Sequence, residues 1–310
     1  MSTEIRELVV AADQAGKRVD LFVKDALSLS RAVVKQLFDD GKVRVNGRIA
    51  KKGSSVESGQ NVRVEVETHE RTATPDTSFQ LEVLHEDDDL LFVNKPAHRP
   101  SHPLKPGETG TVANAIVAMR PECGQAAEDP REGGLCHRLD VETSGVLLAA
   151  KNRAAWDAMR KAFSERGGVD KRYWALVTGP IADDGEIELP LRHHARHSDR
   201  VEPAAEGGPG AREAYSEFKV LAREGERSLV EVRIHTGVLH QVRAHLAAIG
   251  APLVGDALYG GKEWPGLTRF FLHARSLEVT HPVSGQRVKV EAPLPDELKR
   301  VLAEARIELR

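Results

Sequence analysis

The stretch "GLCHRLDVETSGVLLAAK", residues 134 to 151, places an acidic side chain directly before a buried segment. Asp140 follows the apolar Leu139 and precedes a turn of small residues. Gly145 then opens an apolar run that predicts a core strand. A carboxylate beside a core strand is costly unless a partner keeps it in the charged form. Asp140 is therefore either a turn-capping residue that binds backbone N–H groups or a chemical group with a cationic partner.

The length and composition indicate a soluble protein. With 310 residues, of which 40% are hydrophobic, the chain is long enough for a large core and two domains. Its two cysteines are too few for a disulfide framework and indicate a reducing compartment. The sequence contains neither a signal-peptide pattern nor a run of ~18 apolar residues. We therefore expect a cytoplasmic, monomeric protein that does not enter a membrane.

The charge is distributed unevenly along the chain. The net charge is −3, yet residues 16 to 66 carry eleven Lys and Arg against six Asp and Glu. A basic N-terminal module thus precedes an acidic body, and a basic patch of this kind is typical of nucleic-acid contact.

The pattern of turn residues and hydrophobic residues predicts domains at 1–67 and 79–310, joined by a polar linker at 68–78. In the first domain, residues 16–28 and 29–42 predict helices. The second helix carries an apolar stripe of Leu29, Val33, Val34, Leu37 and Phe38. A strand, an Asn-Gly turn and a further strand follow.

The second domain alternates strands and helices irregularly. Strands are predicted near residues 90–96, 173–179, 214–221, 228–237 and 277–293, the last with a hairpin turn at Ser284-Gly285. Helices are predicted at 112–119, 153–164, 239–249 and 296–305. This order predicts an α+β fold with a mixed, largely antiparallel central sheet.

Metal and nucleophile sites are not favoured by the spacing of the candidate residues. His235, His240 and His245 are five residues apart, so neither a helix nor a strand presents all three on one face. Three other histidines lie among arginines in "LRHHARHSDR", residues 191 to 200, where an RNA-facing cationic loop is favoured over a zinc site. Cys136 is interpreted as a small buried thiol. No phosphate-binding or dinucleotide motif occurs, so we expect no metal and no cofactor.

Four motifs, taken together, resemble one known family. "HRLDVETSG", residues 137 to 145, is similar to the His-Arg-Leu-Asp-x-x-Thr-Ser-Gly signature of the RluA family of pseudouridine synthases. "NKPAHRPSHP" (94–103), "KRYWALVTG" (171–179) and "HTGVLHQVRAHLAAIGAPLVGDALYGG" (235–261) resemble three other motifs of that family, and all four occur in the family's order. The basic N-terminal module resembles an S4 RNA-binding domain.

The resemblance implies an isomerase that converts uridine in RNA to pseudouridine and needs no cofactor. The family's essential aspartate falls on Asp140, and its arginine partner falls on Arg243. Tyr173 falls on the tyrosine that stacks on the uracil, and Arg138 falls on the arginine that fills the gap left by the flipped nucleotide. This alignment favours the chemical interpretation of Asp140 over the turn cap.

Two positions depart from the family pattern. His98 stands where the family usually has glycine, and Val238 and Leu239 stand where it usually has Arg and Thr. The second departure removes an arginine, and so bears on RNA affinity or target choice.

The S4-like module leads us to expect ribosomal RNA of the large subunit as the target, reached through phosphate contacts. The side chains expected to make these contacts are Arg31, Lys35, Lys42 and Arg44. Two alternatives stay open at this point. One is the same chemistry on transfer RNA, and the other is a non-catalytic RNA-binding protein that acts in ribosome assembly.

Overall fold

A computed structural model describes residues 2–27, 29, 31–68, 72–197 and 199–308. The chain divides into two compact units, Met1–Arg71 and Thr72–Arg310. Among the described residues, no helix combines the length and the apolar character needed to cross a membrane.

The first unit packs two helices on a four-stranded sheet. Its elements are β1 (Ser2–Val9), α1 (Val19–Ala26), α2 (Arg31–Asp39), β2 (Val43–Val45), β3 (Arg48–Ile49) and β4 (Asn61–Thr68). The strand order is β1-β4-β2-β3, with all pairs antiparallel. Asn46 and Gly47 have φ of 48° and 79°, the left-handed conformation that a tight hairpin turn requires. The predicted hairpin is therefore present, whereas β1 had no counterpart in the sequence analysis.

Helix α2 buries a narrower stripe than the sequence predicts. Val34, Leu37 and Phe38 are buried in the core of the unit, at the i, i+3, i+4 spacing of one helix face. Val33 lies one position off that face and is 43% exposed, so its place in the predicted stripe was wrong.

The segment predicted as a linker is in part packed structure. Ala73 is buried in the core of the second unit, and the N–H of Gly110 donates to Asp76 Oδ2 at 2.8 Å. Residues 72–78 thus belong to that unit, while residues 69–71 of the predicted linker lie outside the described residues.

The second unit is built around a large mixed sheet. Its strands are β5 (Glu82–Glu86), β6 (Leu90–Lys95), β7 (Ser144–Ala150), β8 (Asp170–Thr178), β9 (Asp184–Glu188), β10 (Leu191–His193), β11 (Val201–Pro203), β12 (Tyr215–Glu224), β13 (Arg227–Ile234), β14 (Leu272–Thr280) and β15 (Arg287–Glu291). Its α-helices are α3 (Val112–Met119), α4 (Arg153–Ser164), α5 (Gln241–Ala248) and α6 (Asp296–Glu304). Nine of the strands form one sheet in the order β5-β6-β7-β14-β8-β13-β12-β9, with β15 paired to β14, and β10 pairs with β11.

The pairing in the large sheet is antiparallel except between β7 and β14. This confirms the predicted α+β fold with a largely antiparallel sheet. Every residue of β7 is buried, as the apolar run after Asp140 predicts. Gly145, with φ of 118°, lies against β14, where a Cβ atom would stand 2.2 Å from the carbonyl oxygen of Ala274. Only glycine fits this close approach of β7 to β14, which lies just after the turn that carries Asp140.

Candidate active site

Asp140 lies in a tight turn immediately before β7. The N–H of Thr143 donates to the carbonyl oxygen of Asp140 at 3.1 Å, which closes the turn. The Asp140 side chain is 23% exposed, so it is accessible while lying at the rim of the core.

Two side chains from the "NKPAHRPSHP" segment form hydrogen bonds to the backbone of this turn. Lys95 is fully buried, and its Nζ donates to the carbonyl oxygens of Pro96, Val141 and Thr143 at 2.8–3.0 Å. Ser101 Oγ accepts from the N–H of Leu139 at 3.0 Å and donates to its carbonyl oxygen at 2.9 Å. The backbone on both sides of Asp140 is therefore fixed by buried groups.

A buried arginine holds the far end of the same turn. Arg269 donates through Nη1 to the carbonyl oxygen of Glu142 at 2.8 Å and through Nη2 to Ser144 Oγ at 3.1 Å. Its Nε donates to Glu297 at 2.7 Å, which balances the charge. Burial lowers the pKa of Arg269, and the carboxylate of Glu297 opposes that change.

Arg243 brings a cation to Asp140, as the resemblance implies, but Asp140 is its lesser partner. Nη1 of Arg243 donates to Asp140 Oδ2 at 3.3 Å. Its Nε and Nη2 donate to the two oxygens of Asp256 at 2.7 and 2.9 Å. Burial acts to lower the pKa of Arg243, and the hydrogen bonds and charge of Asp256 outweigh it, so that pKa is raised. Asp256 is 1% exposed and holds the guanidinium in place.

Helix α5 carries Arg243 and is itself tied to the sheet. The side chain of Gln241 accepts from the N–H of Val238 and donates to the carbonyl oxygen of Tyr215. His240 precedes the helix with φ of 52°, and its ring lies 3.9 Å from Asp140 and 3.2 Å from Tyr259 Oη. Burial lowers the pKa of His240, and the charge of Asp140 opposes that change.

A cavity of about 370 Å³ opens in front of Asp140. Tyr173 of β8, Arg138 and Arg243 all line it, so the structure brings together the four residues that the resemblance singled out. Tyr173 is buried, and burial followed by the charge of Asp140 raises the pKa of its phenol. Arg138 is exposed and makes no hydrogen bond or ion pair to any described residue.

The two departures from the family pattern have different structural settings. His98 has φ of 61°, a conformation in which glycine is free of strain, and its ring contacts Thr268 Oγ1 at 3.3 Å. Val238 and Leu239 line the cavity and pack against Leu191, Val201 and other apolar residues. An apolar wall therefore stands where the family usually places a cation.

The evenly spaced histidines point to different partners, as their spacing predicts. His235 contacts Glu217 at 2.9 Å, whereas His245 contacts Ser216 Oγ and the carbonyl oxygen of Leu189. Cys136 is buried, and burial raises the pKa of its thiol, which agrees with its interpretation as a packing residue.

One group in the described part of the chain has the composition of a metal site. Asp87, Asp89 and His281 place their ligand atoms within 4.8 Å of one another. Nε2 of His281 already contacts Asp87 Oδ2 at 3.3 Å, and Asp89 accepts from Asn152 at 2.7 Å. None of them lines the cavity at Asp140.

The basic side chains of the first unit differ in how far they are engaged. Arg31 and Lys35 are exposed on α2. Lys42 pairs with Asp40 at 3.8 Å, and Arg44 donates to the carbonyl oxygen of Gly47 at 3.3 Å.

Sequence reasoning missed the residues that position the site. Lys95 and Ser101 fall inside the "NKPAHRPSHP" motif, and Asp256 falls inside the "GDALYGG" motif. Their positions inside these motifs could have marked them as functional residues. The spacing of the motifs along the sequence does not identify the groups that they bind.

Comparisons with known proteins identify the family of the chain. Residues 89–248 match the family model for RNA pseudouridylate synthase, and residues 17–62 match that for the S4 domain. A Xanthomonas campestris protein named ribosomal large subunit pseudouridine synthase D is 32% identical over 99% of this chain and 94% of its own. An uncharacterized RNA pseudouridine synthase of Mycobacterium bovis is 35% identical over 96% of this chain and 97% of its own.

A solved human structure, RNA pseudouridylate synthase domain containing 1, has a TM-score of 0.56 and 26% identity, and the match covers 75% of this chain and 97% of that one. Both predicted modules are thereby confirmed, and the predicted activity is that of the family. The chain belongs to the RluA family of RNA pseudouridine synthases and carries an N-terminal S4 domain.

Proposed function

We propose that this enzyme converts uridine to pseudouridine in large-subunit ribosomal RNA, with Asp140 as the essential carboxylate. Support for the target comes from relatives named ribosomal large subunit pseudouridine synthase D in Xanthomonas campestris and Haemophilus ducreyi. The S4 domain supplies basic side chains that can contact the phosphates of a structured RNA. Such contacts position an RNA without reading its sequence.

The observation that carries the proposal is the contact between Asp140 and Arg243 at the cavity that Tyr173 lines. In the reaction the N1–C1′ bond breaks, the uracil rotates, and a C5–C1′ bond forms. The proton lost from C5 is balanced by one gained at N1, so the product is an isomer. A carboxylate that attacks C1′ and one that removes a ribose proton must both be ionised, and the adjacent guanidinium favours that form.

The other cavity residues take roles that match their positions. Tyr173 offers an aromatic face, and stacking holds a base with ~1–3 kcal/mol without demanding a sequence. Its neutral phenol adds no charge beside Asp140. Arg138 lines the cavity and is exposed and unpaired among the described residues. Its guanidinium would stack in the gap that the flipped nucleotide leaves and offset part of the few kcal/mol that unpairing costs.

Mapping pseudouridine across total RNA tests both parts of the proposal. Cells that lack the protein are compared with cells that carry the wild type or Asp140→Asn. We expect one or more positions in large-subunit ribosomal RNA to lose modification without the protein and to remain unmodified with Asp140→Asn. Loss confined to transfer RNA would refute the target and leave the chemistry standing. Full modification with Asp140→Asn would refute the role of Asp140.

A further inference from the structure

Lys171 is a buried ammonium group with unused donors in the active-site cavity. Its exposed fraction is 6%, and its Nζ donates to the carbonyl oxygen of Thr236 at 3.0 Å. Among the described residues this is the single hydrogen bond of a group that has three donors. Lys171 precedes Tyr173 by two positions on β8, so both side chains leave the same face of the strand, ~7 Å apart.

A neutral hydrogen-bond donor lies next to this ammonium group. The ring of Phe163 is 5.8 Å from Lys171 Nζ and stacks on the His137 ring at 4.5 Å. Nε2 of His137 accepts from the N–H of Leu148 at 3.1 Å, which puts the proton of the neutral ring on Nδ1. Burial, with the charges of Lys171 and Arg160, lowers the pKa of His137 to about 3, so this ring stays a neutral donor.

A second cation stands at the rim of the same region. Arg160 of α4 is anchored by a hydrogen bond from Nη1 to the carbonyl oxygen of Cys136 at 3.0 Å. The lining of the cavity contains five Lys and Arg side chains but two carboxylates, Asp140 and Glu132. Asp140 is paired with Arg243, and burial raises the pKa of Glu132. This part of the cavity is therefore suited to an anion.

We propose that Lys171, together with Arg160 and Nδ1–H of His137, binds the backbone phosphate of the nucleotide whose uracil stacks on Tyr173. The inference rests on the proposed role of Tyr173. A phosphate is the anion that RNA brings to the cavity, and base and phosphate of one nucleotide lie on opposite sides of its ribose. On one face of β8, Tyr173 offers an aromatic ring to the uracil, and Lys171 offers an ammonium group to the phosphate.

The protonation of Lys171 gives this site a characteristic pH dependence. Burial lowers the pKa of Lys171 to about 8. A bound phosphate favours the ammonium form and raises that pKa in the complex. Phosphate binding is thus at full strength below pH ~8 and is lost as the pH rises through the pKa of the complex.

Calorimetric titration of the full chain with uridine, uridine 5′-monophosphate and uridine 3′-monophosphate tests the site. The second phosphate pKa is about 6, so both monophosphates are dianions from pH ~7.5 upward. At pH ~7.5 we expect at least one monophosphate to bind about tenfold more tightly than uridine, as a charge-assisted contact allows. By pH ~10 this preference should fall below about twofold.

Two variants separate phosphate binding from a merely structural role. Lys171→Met should bind uridine as the wild type does and show no preference for a monophosphate at any pH. Lys171→Arg, whose guanidinium stays charged, should keep the preference up to pH ~10. Arg160→Met should reduce the preference by less than about twofold, since its side chain is more exposed.

Equal binding of all three ligands to the wild type, or a preference that survives in Lys171→Met, would overturn the proposal. A parallel loss of uridine and monophosphate binding in Lys171→Met would also overturn it, because that result would mean that Lys171 only holds the backbone at Thr236. The titration uses neither ribosomal RNA nor turnover, so its failure leaves the proposed target and the role of Asp140 intact.

Discussion

The turn at Asp140 is held by buried side chains, whereas the basic side chains on α2 of the first unit project into solvent. Lys95, Ser101 and Arg269 together make six hydrogen bonds to the backbone of this turn and to the Ser144 hydroxyl. Arg31 and Lys35 are exposed, and no buried side chain in the described part of the first unit holds them. Both regions are proposed to contact RNA. The Asp140 turn would make a catalytic contact and α2 would make phosphate contacts, and the two kinds of contact differ in how rigidly the side chain must be held.

The difference follows from the tolerance of each interaction to displacement. Covalent chemistry at one carbon requires near-attack geometry, and ~1 Å of misplacement can cost ~100-fold in rate. Attraction to a phosphate acts over a Debye length of ~10 Å and accepts many side-chain conformations. Substitutions at the Asp140 turn should therefore change turnover, and substitutions on α2 should change affinity and its dependence on salt.

The largest effect is expected for Asp140→Asn. The amide keeps the shape of the side chain but can act neither as nucleophile nor as base, so turnover should fall by ~10⁴-fold or more. RNA affinity and the unfolding midpoint should stay close to wild type, because Asp140 is partly exposed and not the main partner of Arg243. Tritium release from [5-³H]uridine RNA measures the turnover, and a loss of less than tenfold would refute the assignment.

Arg243→Met should lower turnover by ~10²–10³-fold and RNA affinity far less. The substitution leaves Asp256 buried without its cation, which should destabilise the fold by ~3–5 kcal/mol. Adding Asp256→Asn removes the unpaired charge, so the double variant should recover most of the stability and none of the turnover. Denaturant unfolding and tritium release on the same samples separate the two effects. Recovery of turnover in the double variant would contradict the proposed pairing with Asp140.

Lys95→Met tests whether turnover requires the hydrogen bonds from Lys95 to the backbone of the Asp140 turn. Burial lowers the pKa of Lys95 to about 7, yet its three carbonyl acceptors match the three protons of an ammonium group. Losing them should cost ~2–4 kcal/mol of stability and ~10–100-fold in turnover. Lys299→Met is the control, because Lys299 is exposed and pairs with the exposed Asp296, so the substitution should change stability by less than ~0.5 kcal/mol.

Helices with a strong hydrophobic periodicity were predictable from the sequence, whereas the hydrogen-bond partners of the site residues were not. Helices α3 and α4 begin and end at the predicted residues, since an apolar stripe at helical spacing is a local property. The bonds from Lys95 to Thr143 and from Arg243 to Asp256 span 48 and 13 residues. No local pattern specifies such pairs, because they depend on how the folded chain brings distant segments together. The motif resemblance located Asp140, Tyr173 and Arg243, and the structure was needed to find what holds them.

The paired substitution Arg31→Gln/Lys35→Gln probes the exposed region. If each side chain neutralises one phosphate, the log–log slope of affinity against salt should shrink by ~0.7–0.9 per side chain. Turnover at saturating RNA should not change. The charge-matched control Lys289→Gln/Lys299→Gln removes two exposed cations from the second unit. Binding titrations at several salt concentrations compare the two pairs, and equal slopes in both would show that α2 has no special role in RNA binding.

The smallest effect is expected for His98→Gly, within the segment that braces the Asp140 turn. His98 has φ of 61°, which costs a residue with a Cβ atom ~1–2 kcal/mol, whereas glycine adopts it without strain. Glycine loses ~0.5–1 kcal/mol more backbone entropy on folding, and the contact with Thr268 is lost. The balance should be a gain of about 0.5 kcal/mol in unfolding free energy with unchanged turnover. Asn46→Gly, at φ of 48° in the first unit, is the control and should gain less, since asparagine tolerates this conformation. A drop in turnover would mean that the His98 ring itself supports the turn, and the bracing assigned to Lys95 and Ser101 would then extend to a third side chain.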